Sequence, residues 1–391
     1  MRIKHLYLLP FISASMFVQN EASSAPLVSI GDNTDIFFNG SSSLRWSSNI
    51  FRNEDNEKDD IVWTFSPGFV INVGRGVSNA DLSIITRYDI VRYQDNDKLD
   101  TELFHIKANG SYKTSRLDLN GSVSFDEEKS NSGDSPDTDD LIDSENTGAS
   151  LNGEYRFSPK LSFGAGVRYT EKEYQQHKPP FDRLADRETV SVPLNIFYEL
   201  TPKVDLSIGY IYTENDIDAT SSNPNGDYTS KDHFYNLGAR GNLLPKLSGF
   251  FRAGYRTRED DRPSSDESGS LGFDADLKWS ASPKLTVRLD LSHDFGVGGE
   301  GQSTENSSVD LSGNYSISSR FAASANLGYT LRDYTNTGRE DDQYKLGARL
   351  TYSPNQLWRY GAGYTYVEND SSDTNRSYES HTLDLTASLR Y

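Results

Sequence analysis

Cysteine is absent from this chain of 391 residues, which excludes disulfides, thiolate metal sites and a lipid-modified N-terminal cysteine. Beyond the N-terminal region no stretch reaches about 18 consecutive apolar residues, so no transmembrane helix is expected. Positive charge is scarce: 39 Lys and Arg stand against 58 Asp and Glu, and the net charge of -19 argues against a nucleic-acid partner. Methionine is nearly missing at 2 residues, whereas tyrosine reaches 23 and glycine 30, a composition that fits aromatic, glycine-rich strands better than a helical enzyme. Hydrophobic content of 35% and a mean hydropathy of -0.68 would ordinarily point away from a membrane. A barrel evades that test, because half of each spanning strand faces a polar lumen.

The N-terminus differs from everything after it. Arg2, Lys4 and His5 precede the apolar run Leu6 to Val18, and small residues follow at Ala22, Ser23, Ser24 and Ala25, which reads as a secretory signal peptide. Cleavage is expected after Ser24, since a cut after Ala25 would place Pro26 directly beyond the scissile bond. The expected organisation is a signal peptide over 1–24, a periplasmic N-terminal segment over 25–35 and a barrel over 36–391.

What is present is a two-residue period. In the terminal stretch YESHTLDLTASLRY, Leu383, Leu385, Ala387, Leu389 and Tyr391 alternate with Asp384, Thr386, Ser388 and Arg390, as in a strand with one greasy and one wet face. A chain that stops on an aromatic there reads as closing a barrel with Leu383, Leu385, Leu389 and Tyr391. The pattern recurs upstream, from a first strand at Ile36 to Arg52 onward. Tight turns marked by Pro159, Pro202, Pro245, Pro283 and Pro354 alternate with long polar loops. The expected fold is therefore all-β: a transmembrane antiparallel up-and-down β-barrel of about 18 strands, with short periplasmic turns and long extracellular loops. Tyrosines gathered at strand ends, such as Tyr93, Tyr174, Tyr334 and Tyr391, fit two aromatic girdles. Pro67 falls inside a strand, where a missing donor predicts a bulge or a break, and Pro193 blurs another boundary.

A closed sheet of that size has a backbone diameter of roughly 35 Å, too wide for side chains alone to fill. Function then rests on the inward parity, which predicts lumen-lining Arg240, Arg252, Arg256, Arg258, Arg332, Lys345, Arg349 and Arg359 among the acids Asp274, Asp276 and Asp290. Two readings stand: mutual neutralisation in a wet interior, or an arginine-lined wall guiding anionic or hydroxyl-rich solutes. From Asp126 to Glu145 there are nine acids and one Lys, expected to form a solvated external loop, with divalent-ion bridging to lipopolysaccharide as the alternative. No metal-ligand spacing, catalytic grouping or phosphate loop stands out, so no cofactor, metal or enzymatic activity is expected.

The stretch SPGFVINVGRGVSNADLSIITRYDIVRYQDNDKLDTELFHIKANGSYK, Ser66 to Lys113, resembles the opening of the β-barrel porin type 2 family. That family includes the EpsL-like outer-membrane proteins of exopolysaccharide operons. The shared features are an aromatic strand leading to Pro67-Gly68, the spaced pair Tyr88 and Tyr93, an Asp-rich loop, and a returning strand with His105. The resemblance implies a barrel in the outer membrane of a Gram-negative bacterium, inserted by the barrel-assembly machinery among lipid and lipopolysaccharide. It also implies export of an exopolysaccharide or capsular polysaccharide beside a periplasmic polysaccharide-export protein. A passive diffusion porin for small solutes, or a non-conducting structural barrel, are the alternatives.

Overall fold

The computed structural model describes residues 25–391 apart from 75, 77, 136, 137, 263–266 and 336, so the signal peptide expected over 1–24 lies outside the described residues. The strands are β1 Val28–Ile30, β2 Thr34–Ser47, β3 Asp60–Val73, β4 Ala80–Tyr93, β5 Thr101–Lys113 and β6 Leu117–Lys129. They continue with β7 Asp143–Arg156, β8 Leu161–Tyr174, β9 Arg187–Thr201, β10 Val204–Ile217, β11 Tyr228–Leu244, β12 Leu247–Asp260 and β13 Ser268–Trp279. The last are β14 Leu285–Val297, β15 Ser303–Ser316, β16 Phe321–Tyr334, β17 Arg339–Tyr352, β18 Trp358–Ser371 and β19 Tyr378–Arg390. From β2 onward each strand pairs antiparallel with the next, and β19 returns to β2, closing the 18-stranded barrel. The three-residue β1 folds back on the start of β2.

Closure is made by the residues the terminal pattern singled out. Leu383 sits opposite Trp46, Leu385 opposite Leu44 and Leu389 opposite Gly40. Tyr391 completes the seam: its N–H donates to the Phe38 carbonyl at 2.9 Å, and the Phe38 N–H donates to its carbonyl at 2.6 Å.

Alternation sorts the side chains to two solvents. On β13 Leu271 and Phe273 point outward, Leu271 being 75% exposed, while Asp274 and Asp276, which have the opposite parity, are buried on the other face. The same outward row runs through Leu206, Ile208, Leu237, Leu311, Leu327 and Leu346. So large an exposed apolar band is stable only against lipid tails.

The short turns carry a device beyond proline. Ser158, Thr201 and Ser282, each just before its proline, accept a backbone N–H from the third residue on, Leu161, Val204 and Leu285 respectively. Ser318 does the same for Phe321 without a proline. Hydroxyl and proline together preset the turn.

Pro67 neither bulges nor breaks its strand. β3 runs through it, and the register with β4 is unchanged from Phe65↔Ile90 to Gly68↔Arg87, with only the rungs between them missing. Pro67 keeps its place opposite Gly40 on the other side. The lost donor thus costs rungs on one side only. Gly68 permits the strands to stay close, since a Cβ there would lie 2.1 Å from the Thr86 carbonyl oxygen. Pro193 repeats the arrangement, paired with Ile211 on β10 while the β8 ladder skips from Ala165↔Leu194 to Arg168↔Ser191.

Candidate functional site

The register puts the arginines anticipated from parity on the face opposite the exposed leucines, and most of them meet carboxylates. Arg240 on β11 donates from both Nη atoms to Glu154 on β7 at 2.8 Å and from Nε to Asp205 on β10 at 3.1 Å, with its guanidinium 3.4 Å from the Phe197 ring centre. Asp274 serves two arginines, Arg252 Nε at 2.7 Å and Arg256 Nη2 at 3.1 Å, and Arg256 stacks over Phe234 at 3.7 Å. Arg258 forks onto Asp232 at 2.6 Å. Arg349 bonds Asp384 at 2.7 Å and the Thr386 hydroxyl at 3.0 Å. Lys345 on β17 faces Gly328, its field reaching Asp310, and Arg359 on β18 faces Ser388. Mutual neutralisation therefore describes much of this wall.

Two cations not anticipated from the sequence complete it. Arg288 on β14 holds Asp276 at 3.1 Å through Nε and lies 3.5 Å from Asp290. Arg168 on β8 is half-buried and, among the described residues, has neither hydrogen bond nor ion pair. It lines a cavity of about 200 Å³ together with Arg240 and Arg252.

At the extracellular end, the loop expected to be solvated turns inward instead. Residues 130–135 and 138–142 lie across the mouth, and Asp134 is buried at 7% exposure against the far wall. It accepts from the Gly299 N–H at 2.9 Å, from Arg339 Nη1 at 3.2 Å and from the Tyr334 hydroxyl, with Arg332 at 3.7 Å. Burial by itself would raise the Asp134 pKa. Arg332, the Tyr334 hydroxyl, Arg339 and the Gly299 N–H outweigh it and hold the carboxyl below the usual carboxylate range. Arg339 also grips the Gly133 carbonyl at 2.9 Å, and Arg376 the Ser135 carbonyl at 3.0 Å.

Apolar side chains clamp the same loop. Leu141 packs with Phe51, Val62, Val91, Tyr93 and Leu99 from the first two extracellular loops and the strand ends beside them. Its neighbour Ile142 packs with Tyr174, Phe181 and Leu184. Ala185, Ile217 and Tyr228 form a third cluster, against Val297. Desolvating the acidic loop is offset by these contacts and by the cations around Asp134. Asp60 secures the adjoining loop by accepting the N–H groups of Gln94, Asp95 and Asn96 at 3.0 to 3.1 Å. The barrel's apolar core is thus at its mouth. Among the described residues no group of three or more His or acidic side chains is placed to hold a metal ion.

The chain matches no curated protein. Among solved structures it is similar to the outer membrane protein OpdK from Pseudomonas aeruginosa, at 12% identity and TM-score 0.47, covering 91% of this chain and 99% of that one. It is similar to the ferric enterobactin receptor PfeA from Pseudomonas aeruginosa at 9% identity and TM-score 0.48, over 90% of this chain and 80% of that one. It is also similar to the alcaligin outer membrane receptor FauA from Bordetella pertussis, at 13% identity and TM-score 0.43, over 90% and 76% of the two chains. Residues 39–391 match the family model described as "Putative beta-barrel porin 2". With a closed 18-stranded barrel, a lipid-facing apolar band and a charged lumen, this is an outer-membrane β-barrel protein, and the chain belongs to that porin family.

Proposed function

We propose that the lumen is a passage for small polar solutes, with a preference for anions set by its arginines. The carrying observation is the wall from β7 to β13, where guanidinium groups line a cavity on the inward face and Arg168 meets no carboxylate among the described residues. Loops locked across the mouth favour small solutes over a polymer. The test is conductance and reversal potential in planar bilayers containing only the purified protein. Replacing Arg252, Arg256 and Arg349 by Ala leaves Asp274 and Asp384 unpaired, so selectivity should move toward cations. Unchanged selectivity would remove the arginines from the mechanism.

Export of an exopolysaccharide beside a periplasmic export protein is the second reading. It is favoured by hydroxyl pairs on the inward face, Ser122 with Ser150 at 2.8 Å and Ser292 with Ser308 at 2.7 Å, a surface suited to sugar hydroxyls. A polymer would require the mouth loops to swing aside. Unaltered extracellular polysaccharide after gene deletion would count decisively against it. A signal peptide over 1–24, insertion by the barrel-assembly machinery and contact with lipopolysaccharide belong to either reading.

A further inference from the structure

Arg168 stands out because, among the described residues, no carboxylate answers its charge. It projects from the inward face of β8 opposite Ser191, and among the described residues it meets no carboxylate and no hydrogen-bond acceptor. The charged group acting on it is another cation, Arg252. Arg252 is itself only half satisfied: Nε bonds Asp274 at 2.7 Å, and neither Nη atom has a hydrogen bond among the described residues. Asp274 is shared with Arg256, and Glu154 is taken by both Nη atoms of Arg240, so neither is free to compensate Arg168.

Both guanidinium groups line the same cavity as the Arg240–Glu154 pair, whose charges answer one another, and the rest of its wall mixes Asn195 and Ser207 with the apolar surfaces of Pro193, Ile211 and Phe250. Two neighbouring positive forks with unused donors repel one another, and an anion between them relieves the repulsion while filling those donors. A guanidinium fork fits a carboxylate by two parallel hydrogen bonds. The apolar side of the cavity suits the body of such a ligand rather than a bare ion. We propose that Arg168 and Arg252 form a binding subsite for a small organic carboxylate with an apolar body. This deepens the passage reading, on which it rests for its role, while the binding itself can be measured without conduction.

The test is calorimetric titration of the folded, detergent-solubilised protein with benzoate, acetate and chloride. Wild type should bind benzoate at one site, more tightly than acetate, with chloride weakest. Arg168→Gln should weaken benzoate about tenfold or more, the scale of losing a charge-assisted pair, and Arg168→Lys should retain part of the affinity. Folding is checked by heat-modifiable gel migration. Removing an unpaired charge should leave the barrel intact, and Arg252→Gln, which leaves Asp274 paired to Arg256, reads the same loss by a second route. No benzoate binding, affinity unchanged in both Gln variants, or acetate binding as tightly as benzoate would overturn the subsite. A pore that binds benzoate but never conducts would instead overturn the passage reading and leave the subsite standing.

Discussion

Asp134 and Arg339 lie 205 residues apart along the chain and meet at 3.2 Å across the mouth of the barrel. Both are nearly excluded from water, with 10% and 6% of their side chains exposed. A buried charge is stable only when its partners are in place, so this contact ties the loop between β6 and β7 to the far wall as a latch. On the proposed passage reading, the gap it bridges is the one a solute must cross.

Asp134→Ala should release the loop without unfolding the barrel. Removing one member of a buried ion pair costs about 3–5 kcal/mol, and that loss falls on the docked loop while Arg339 keeps Asp341. The absence of native cysteine makes the measurement clean: Thr138→Cys carries a single nitroxide. Its spectrum should change from immobile to mobile in the Asp134→Ala background, and single-channel conductance should rise. An immobile spectrum in the variant would show that the apolar clamp suffices.

The latch also has a signed pH dependence. Because the folded pKa of Asp134 lies below its ordinary value, its stabilisation is complete above the usual carboxylate range and is lost as pH falls through the lowered value. The nitroxide at position 138 should therefore stay immobile from neutral pH down to about pH 4 and loosen only in stronger acid. Loosening between pH 7 and 5 would mean that another group governs docking.

The barrel was legible because alternation is a local property. Leu383, Leu385 and Leu389 announce their face within one strand, and the hydroxyl-proline turns sit beside the strands they join. The latch was not legible, because it depends on which loop meets which wall across the closed sheet. Its trace in the sequence is Leu141-Ile142 at the end of an acidic run, and Phe51, Phe181 and Leu184 in other polar loops, large apolar side chains where water was expected. The charged parity of the wall could be read from β11 to β13, where arginines and acids alternate with apolar residues. That Arg168 has no partner among the described residues depends on the opposite side chains, Ser191 and its neighbours, and no single strand reports it.

Leu141→Ala tests the apolar half of the closure. Leu141 is 2% exposed within its cluster, and truncating a buried leucine costs about 2–5 kcal/mol. The barrel's hydrogen-bonded ladder is untouched, so the loss should appear as faster proteolysis within 130–142 and more frequent open events, with the unfolding midpoint of the barrel unchanged. A lowered midpoint would mean that the mouth cluster and the barrel unfold as one unit.

The two faces of the wall should respond oppositely to the same substitution. Leu237 lies near the middle of β11, points outward and is 64% exposed, so in the membrane it is surrounded by lipid. Leu237→Arg places a charge at that depth, at a cost of about 2–4 kcal/mol near the bilayer midplane. Asn314 on β15 is also exposed but has the inward parity, opposite to that of Leu311 and Tyr315. Asn314→Arg meets lumen water and should leave stability within about 0.5 kcal/mol, the range of ordinary surface changes, while raising anion selectivity. Urea unfolding from lipid vesicles reads the first difference and reversal potential the second. Equal destabilisation by both variants would mean that the inward face is not wet, and the passage through the barrel would be lost with it.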